Sequence, residues 1–317
     1  MRKKIALTGA FSYTGRYITN QLIQRIGSKN LQIINLSNRK EKKLYANEGV
    51  KITSHSYDFN NPESIKQILK GCSLFICTYW VRFDNFRISR QEVIDNAKLL
   101  IDCAKHADVK RCVFTSHTQT NINSHIPYIS GKAEVENHVK HQFKGNFGII
   151  KPCAIFGDTP SESIVINNLA YLLRTFPMMP IVGDGRYPFH PVHVRDIARL
   201  CIEAGFDDHG LKEYDWDAVN PEKLDFIDLL TITKDIIGSN CYLQTNVPKE
   251  LAFLCTKPIN WLFKDILIDK TDLDLLTLRL TCSDKNPLGK IPYSDWIHKN
   301  RYELGKNYVN TIQRYYD

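Results

Sequence analysis

Lys4-Ile-Ala-Leu-Thr-Gly-Ala-Phe-Ser-Tyr-Thr-Gly-Arg-Tyr-Ile18 is the stretch that decides the fold of this chain. Its first residues, from Lys4 to Leu7, have the composition of a short strand. Gly9 and Gly15 bound the turn that follows. A helical pattern comes next, with apolar residues of one face at Ile18, Leu22 and Ile23. A strand, a glycine turn and a helix in this order are the context of a dinucleotide-binding fingerprint.

The turn itself predicts a site for a pyrophosphate. Gly9 permits a tight exit from the strand, and Gly15 lets the helix lie close to that strand. The helix N-terminus then offers free N–H groups and positive dipole. The middle glycine of the common spacing is replaced by Ser12, whose hydroxyl can donate a hydrogen bond to phosphate. The alternative is an ordinary turn of an α/β protein. The residues predicted to bind cofactor here are Gly9, Phe11, Ser12, Tyr13, Thr14 and Gly15.

The bulk composition narrows the class of protein. The chain has 317 residues, a net charge of +8 and nine scattered cysteines without a C-x-x-C pair. We expect buried thiols in a reducing, cytoplasmic compartment and no metal site. No apolar run reaches the ~18 residues of a membrane span, and the start lacks a signal-peptide pattern. No nucleic-acid motif accompanies the positive charge, so nucleic acid is not an expected partner. The oligomeric state is left open.

Strand and helix patterns alternate through the first half. The sequence therefore predicts an α/β protein with a Rossmann-type, doubly wound parallel sheet. A long helix is predicted from Arg90 to Ala107 by its 3.6-residue apolar period. The strands predicted after the first are 31–36, 51–58, 73–78, 111–115 and 147–151.

The alternation fades beyond Gly157. We therefore expect an NAD(P)-binding domain over 1–157 and a smaller, mostly helical substrate-capping portion over 158–317, with roughly 186–205 packing back onto the first domain. Within the cap we predict a helix over 164–176 and a final helical pair over 295–316. We also predict a hairpin turn at Asp184-Gly185 and a helix N-cap at Asp196.

The most apolar part of the tail is Leu251 to Ile268, which lysines border. We expect it to pack the cap onto the main domain. The alternative is that this segment forms an apolar lid over a hydrophobic substrate, or makes a peripheral contact with a membrane. His190 and His193 can face a pocket, although a lone histidine is more often structural.

The end of the second strand bears on the choice of cofactor. A site that prefers NAD places an acid there, on the ribose hydroxyls. Here Asn38, Arg39 and Lys40 come first, and no acid occurs before Glu41. Arg39 and Lys40 can clamp a 2′-phosphate by charge-assisted hydrogen bonds. We predict that NADP(H) is preferred and that NAD(H) is also possible; the alternative is a solvated charge run that opens a helix.

Two further strand ends carry candidate cofactor residues. Asp58 and Phe59 follow the third strand and can receive the adenine by a hydrogen bond and stacking. Thr78 and Tyr79 follow the fourth strand, at the carboxyl edge where such sheets bind ligand. The alternative is that Tyr79 and Trp80 are core aromatics.

Tyr128 and Lys132 form the candidate chemical centre. They are four residues apart on a predicted helix, so both lie on one face. An ammonium beside a phenol stabilises the phenolate and lowers its pKa from about 10. The tyrosine could then exchange a proton with a substrate oxygen while a nicotinamide moves a hydride. Lys132 could also hold the nicotinamide ribose.

These motifs resemble the short-chain dehydrogenase/reductase superfamily, in its extended or atypical NAD(P)-binding branch of epimerase- and dehydratase-like proteins. The resemblance covers most of the chain. Parts of the sequence are also similar to those of one subgroup, which is related to the reductase-like accessory subunit of respiratory complex I. The stretches that carry it are Thr8 to Gly15, Asp58-Phe59, Phe114-Thr115-Ser116, Thr78-Tyr-Trp-Val-Arg-Phe83, Tyr128/Lys132, Lys151-Pro-Cys-Ala-Ile-Phe-Gly157 and Val192-His-Val-Arg-Asp-Ile-Ala198.

The resemblance implies a set of roles. Pro152 and Ile155 belong to the strand that closes over the nicotinamide in this superfamily. The usual catalytic serine or threonine is replaced by His117, and the flanking Ser116 and Thr118 are the candidates to supply a hydroxyl.

The function implied is an NADP(H)-dependent oxidoreductase, or an epimerase- or dehydratase-like enzyme, that acts on a carbonyl or alcohol centre of a small molecule. The alternative is an NAD(P)-binding redox sensor or accessory protein without turnover. Ser12 and His117 favour this alternative, whereas the intact Tyr128 and Lys132 pair favours the enzyme.

Overall fold

A computed structural model describes residues 2–38, 49–81, 88–266 and 268–316 of the chain. The chain divides into two compact units. The first is Met1–Lys151 with Arg195–Asp217, and the second is Pro152–Val194 with Ala218–Asp317. The predicted boundary at residue 157, with 186–205 returning to the first domain, stays a prediction.

The strands of the described residues, in chain order, are β1 (Lys3–Thr8), β2 (Leu31–Leu36), β3 (Lys51–His55), β4 (Leu74–Cys77), β5 (Arg111–Thr115), β6 (Phe147–Pro152), β7 (Ile155–Phe156), β8 (Met178–Val182), β9 (Pro188–Phe189), β10 (Val192–His193), β11 (Glu213–Ala218), β12 (Leu224–Asp225) and β13 (Tyr242–Val247). The helices are α1 (Tyr13–Ile26), α2 (Pro62–Leu69), α3 (Arg90–His106), α4 (Pro127–Gln142), α5 (Ile164–Thr175), α6 (Val194–Phe206), α7 (Phe226–Ile237), α8 (Lys249–Phe263), α9 (Lys270–Thr277), α10 (Tyr293–Asn300) and α11 (Thr311–Tyr316). Short 3-10 turns lie at Ser28–Asn30 and Pro160–Glu162.

The first unit is built on a sheet that, in the described residues, has seven strands in the order β3-β2-β1-β4-β5-β6-β11. The pairings from β3 through to β6 are all parallel. The chain winds from β1 outward to β3, and then from β4 outward to β6. The switch point of a doubly wound sheet therefore lies between β1 and β4. This confirms the predicted fold class, the predicted strands and the long helix after β4.

The sheet is covered on both faces, which explains its nearly continuous apolar strands. All four residues of β4 are buried, as are Ile5, Ala6 and Leu7 of β1. Helices α2, α3 and α4 contribute apolar side chains to the core of this unit. The nine cysteines are free thiols, and all are buried except the half-buried Cys153 and the exposed Cys255. Burial raises the pKa of the Cys77 thiol to about 11, so it is a small apolar residue of the core.

The second unit has its own core. Apolar residues of α5, α7 and α10 meet there, with Phe156, Tyr293 and Trp296 at the centre. The indole of Trp296 donates a hydrogen bond of 2.6 Å to the carbonyl oxygen of Gly157, which satisfies the polar atom of a buried side chain. Two-stranded sheets, β7 with β10, β8 with β13 and β9 with β12, complete the described part of this unit.

Of the local predictions beyond residue 157, the hairpin turn and the N-cap are wrong, and the two helical predictions are confirmed. Asp184-Gly185 does not join a hairpin: β8 pairs in parallel with β13, and β9, the strand that follows the turn, pairs with β12. Asp196 is not an N-cap: α6 begins at Val194, so the aspartate lies in its first turn. Helix α5 and the final pair, α10 and α11, are confirmed.

No helix in the described ranges combines the length and the apolar character that crossing a membrane requires. In the same ranges, no group of three or more His, Cys, Asp or Glu side chains has an arrangement that could hold a metal ion.

Candidate functional site

The glycine turn follows β1 and opens α1 as a close backbone cradle. Gly9 has a φ of +66°, in the region that glycine adopts without strain. Gly15 lies against the Gly9 carbonyl so closely that a Cβ on Gly15 would be 1.9 Å from that oxygen. Ser12 is the N-cap of α1, and its hydroxyl accepts a hydrogen bond of 3.2 Å from the Gly15 N–H. The serine in place of the middle glycine therefore has a structural role in this turn.

A buried asparagine on the neighbouring strand holds this turn in place. The Asn35 side-chain oxygen accepts a hydrogen bond of 2.7 Å from the Ala10 N–H, and its amide nitrogen donates to the Ser54 hydroxyl. Gly9 also donates its N–H to the Leu36 carbonyl, at 2.8 Å. The sequence analysis missed Asn35. Its signal was a polar residue that follows two isoleucines in a mostly apolar strand.

The remaining turn residues lie at the start of α1. Phe11, Tyr13 and Thr14 are all half-buried, and the ring of Tyr13 meets Tyr17 edge to face. These residues stand at the end of the helix where backbone N–H groups have no helical partner.

The end of β2 is described only as far as Asn38. Both polar atoms of its amide bond the backbone of Tyr57, at 2.9 and 3.0 Å, and so link the carboxyl ends of β2 and β3. Arg39 and Lys40, the candidates for a 2′-phosphate, lie outside the described residues.

Three aromatic rings form a wall beside this strand end. Tyr57 and Phe59 are 4.9 Å apart by ring centroids, and Tyr79 lies 5.6 Å from Phe59. Phe59 and Tyr79 thus lie together, and both also pack on the core. Their roles at a cofactor stay predictions. Asp58 is exposed and accepts a hydrogen bond from the Asn60 N–H in its own turn.

Thr78 joins the two strands at the switch point. Its hydroxyl donates to the Thr8 carbonyl at 2.8 Å, and its N–H donates to the Thr8 hydroxyl at 2.6 Å. These bonds fix the carboxyl ends of β1 and β4 side by side, which is where ligands bind in such sheets.

Tyr128 and Lys132 lie on α4 and share the indole of Trp80. The Tyr128 ring meets Trp80 edge to face, 5.8 Å between centroids, and the Lys132 ammonium lies 3.9 Å from the Trp80 centroid. Lys132 is 3% exposed, and its Nζ donates to the Thr115 carbonyl at the end of β5, at 3.0 Å. Arg90 places its guanidinium 5.5 Å from the Tyr128 ring. Tyr128 itself is half-buried.

The environment of Lys132 sets its proton affinity. Burial disfavours the ammonium and lowers the pKa of Lys132 to about 7. The negative charge of Glu136 favours the ammonium, but its effect on the pKa is smaller than that of burial. The amine therefore exchanges its proton near neutral pH. The helix that carries it packs closely, since a Cβ on Gly131 would lie 2.6 Å from Ile94.

The side chain of Ser116 belongs to a buried network of hydrogen bonds and ion pairs. Its hydroxyl donates a 2.5 Å hydrogen bond to the Glu136 carboxylate, which also accepts from Thr120. Lys151 pairs with Glu136 at 3.0 Å and with Asp215 at 2.8 Å. Burial alone would lower the pKa of Lys151, but the two carboxylates outweigh it and raise that pKa. The Ser116 hydroxyl is thus engaged in a hydrogen bond within this network.

His117 and Thr118 complete the loop after β5. The His117 ring meets the Tyr128 ring edge to face at 5.4 Å, and both loop residues are buried. The Nδ1 atom of His117 lies 2.8 Å from the Thr118 carbonyl oxygen, which only accepts, so Nδ1 is the protonated nitrogen. The residue at the usual serine position is therefore next to the candidate tyrosine.

Pro152 and Ile155 belong to the second unit, where Ile155 pairs with Val192 across β7 and β10. His190 and His193 are buried in the same unit. His190 Nδ1 accepts from the Ser283 N–H, and His193 Nε2 lies 3.5 Å from an Asp158 oxygen. Burial lowers the pKa of His190. Both histidines thus have partners within their own unit.

The doubly wound parallel sheet, with the glycine turn at its switch point, has the fold of NAD(P)-binding proteins of the extended short-chain dehydrogenase/reductase type. This confirms the resemblance drawn from the sequence. Within that class, residues 1–149 match the NmrA-like family.

Two curated relatives come from Arabidopsis thaliana. One is NADH dehydrogenase (ubiquinone) 1 alpha subcomplex subunit 9, mitochondrial, which is 23% identical over 235 residues, covering 72% of this chain and 56% of that protein. The other is cinnamoyl-CoA reductase 2, 30% identical over 116 residues, covering 36% of this chain and 35% of that protein. The chain thus spans about half the length of the first relative and about a third of the second.

Solved structures share the fold over nearly the whole chain. The Citrobacter triphenylmethane reductase in complex with NADP(H) has a TM-score of 0.72 at 16% identity, covering 93% of this chain and 99% of that one. The NADPH-dependent quinone oxidoreductase of Escherichia coli has a TM-score of 0.66 at 15% identity, covering 89% and 92%. A nucleoside-diphosphate-sugar epimerase of Staphylococcus aureus has a TM-score of 0.63 at 16% identity, covering 99% of each chain.

The turn geometry predicts losses of stability of different size for two conservative changes. Gly15→Ala forces a methyl group into the Gly9 carbonyl and should lower the free energy of unfolding by at least about 1–3 kcal/mol. Ser12→Gly should cost only a few tenths of a kcal/mol, because glycine is a tolerated N-cap. Urea unfolding of both variants measures the difference. A Gly15→Ala variant as stable as the wild type would mean that α1 does not approach β1 in this way.

The pKa of Lys132 predicts a pH-dependent stability. Between about pH 7 and 10.5 the unfolded chain binds a proton at this lysine that the folded chain does not, so the unfolding free energy should rise with pH by a few kcal/mol. Below about pH 7 both states are protonated, and this contribution should stay constant. Lys132→Met should lack the rise. Urea unfolding at several pH values checks this, with exposed Lys110→Met as the control that should keep the rise. Equal slopes in all three proteins would contradict the prediction.

Proposed function

We propose that this protein binds NADP(H) and catalyses hydride transfer at a carbonyl or alcohol centre of a small molecule. The observation that carries the proposal is the placement of Tyr128 and Lys132 around one indole, after β5, at the sheet edge where the glycine turn also lies. The parallel pairing of β1, β4 and β5 brings their carboxyl ends to this same edge.

The glycine turn fits a dinucleotide on its own geometry. Because Gly9 and Gly15 have no side chains, the backbone of the turn stays open to a ligand. Helix α1 begins at this turn. A pyrophosphate would be held by N–H groups at the start of α1, and the ring wall of Phe59 and Tyr79 would border the adenine. Arg39 and Lys40 would pair with a 2′-phosphate. The NADP(H) and NADPH complexes of the triphenylmethane reductase and the quinone oxidoreductase support the choice of cofactor class.

Side chains of this protein would carry out the proton transfer. A hydride would come from NADPH when it is bound. The Tyr128 hydroxyl would donate the proton that completes the alcohol at the substrate oxygen. The Arg90 guanidinium, 5.5 Å from the ring, stabilises the phenolate that remains. Lys132 exchanges a proton near pH 7 and can return one to the tyrosine.

A second function is favoured by the loop after β5. The Ser116 hydroxyl is held by Glu136, and His117 occupies the place of the usual catalytic hydroxyl. A protein with this loop could bind cofactor and serve as a sensor or an accessory subunit without turnover. The similarity to a mitochondrial NADH dehydrogenase subunit supports this alternative.

The cofactor preference is tested by calorimetric titration with NADPH and NADH. The wild type should bind NADPH more tightly. Arg39→Asp should weaken NADPH binding by about 1.5–3 kcal/mol, roughly 10- to 150-fold, and leave NADH nearly unchanged. Lys110→Asp is the matched control, since it makes the same charge change at an exposed residue just before the amino end of β5. Equal affinity of the wild type for both cofactors would overturn the preference.

Turnover separates the two functions. NADPH consumption is measured with a panel of quinones, aldehydes and ketones. Tyr128→Phe should keep cofactor binding and lose about 10²–10⁴ in rate, as for a lost general acid. Lys132→Met should damage both binding and rate, whereas exposed Tyr242→Phe is the control. If the wild type binds NADPH, reduces no compound of the panel, and Tyr128→Phe has no effect in cells, the accessory function replaces the enzyme.

A further inference from the structure

Helix α8 presents apolar side chains to solvent. One side of this helix is buried through Ala252 and Thr256. The opposite side carries large residues that expose half or more of their surface: Leu251 (50%), Leu254 (53%), Trp261 (82%) and Leu262 (65%). We call these four residues the α8 face. Leu254 lies three residues after Leu251, and Trp261 and Leu262 lie seven and eight residues after Leu254, so all four are on one side of the helix. The expectation that this segment packs the cap onto the main domain stays a prediction.

Positive charge borders the C-terminal half of the α8 face, whereas the exposed Glu250 lies beside Leu251 at its start. Lys257 and Lys264 are both exposed, and they lie four residues before and three residues after Trp261. Lys257 is therefore a neighbour of Trp261 on the helix surface, whereas Lys264 is the C-cap residue just beyond the end of the same helix. The next acid along the chain, Asp265, is buried and accepts hydrogen bonds from Tyr308 and from the Thr311 and Ile312 N–H groups. Its charge is therefore directed inward.

A polar groove adjoins the C-terminal end of this face. Leu262 lines it together with Phe263 and Tyr308, whose rings stack at 4.1 Å. Lys306 and Asn307 line its polar side. The apolar side chains of the α8 face suit the acyl chains of a lipid surface. The ammonium and amide groups of the adjoining groove suit its headgroups.

We propose that the α8 face lies on an anionic phospholipid surface. Trp261 and the leucines enter the boundary between headgroups and acyl chains, and Lys257 and Lys264 bind lipid phosphates. A tryptophan and leucine face with lysines on its border is the composition of helices that lie in this boundary. A second copy of the chain fits less well, because a stable protein interface takes about 20–30 residues a side. This inference is independent of the proposed enzymatic function.

The proposal is tested by co-sedimentation of the full chain with two kinds of vesicle: phosphatidylcholine alone, and phosphatidylcholine mixed with phosphatidylglycerol. The wild type should bind the anionic vesicles more strongly than the neutral ones. Leu254→Ser with Trp261→Ser should reduce the partition coefficient by about tenfold or more on anionic vesicles. Lys257→Glu with Lys264→Glu should remove most of the preference for anionic lipid and its sensitivity to salt.

The matched control is Tyr302→Ser, which removes an aromatic side chain that is 67% exposed and lies outside the α8 face. It should bind vesicles like the wild type. The altered residues are exposed, so circular dichroism and urea unfolding should show folded variants. Three results would overturn the proposal: no binding of the wild type to either vesicle, equal binding by all variants, or a wild-type dimer in sedimentation velocity that the serine variant converts to a monomer.

Discussion

The approach of Gly15 to the Gly9 carbonyl is the contact on which the rest of the first unit depends. It lets α1 begin directly against the end of β1, and nothing larger than glycine fits at that position. Once β1 is fixed, β2 and β4 pair on its two sides in parallel. Because strands on both sides wind away from β1, their carboxyl ends leave an open edge at the switch point. The position of the candidate site is thus a consequence of this backbone contact.

Two buried lysines show how the same unit uses charge in opposite ways. Lys151 has two carboxylate partners, Glu136 and Asp215, which hold it as a cation and raise its pKa. Lys132 has a backbone carbonyl and aromatic faces around it, so burial prevails and lowers its pKa to about 7. The first lysine stabilises a fixed network. The second remains able to change its protonation, which suits proton transfer.

The sequence predicted those features that follow from local pattern. Apolar periodicity gave the strands and α3, and the glycine spacing gave the turn after β1. It did not predict Asn35, because its role depends on a neighbouring strand. Nor could it show that the Ser116 hydroxyl is bound to Glu136, 20 residues away along the chain. The Asp184-Gly185 hairpin failed for a related reason: a turn signal says that the chain reverses but not which strand β8 joins.

The loop after β5 has consequences for the substrate, if the proposed enzymatic function holds. A catalytic serine can donate a hydrogen bond to a carbonyl oxygen, but His117 carries its proton on Nδ1, toward Thr118. The Ser116 hydroxyl is held by Glu136. The proposed reaction therefore depends on the Tyr128 hydroxyl for the hydrogen bond and the proton at the substrate oxygen.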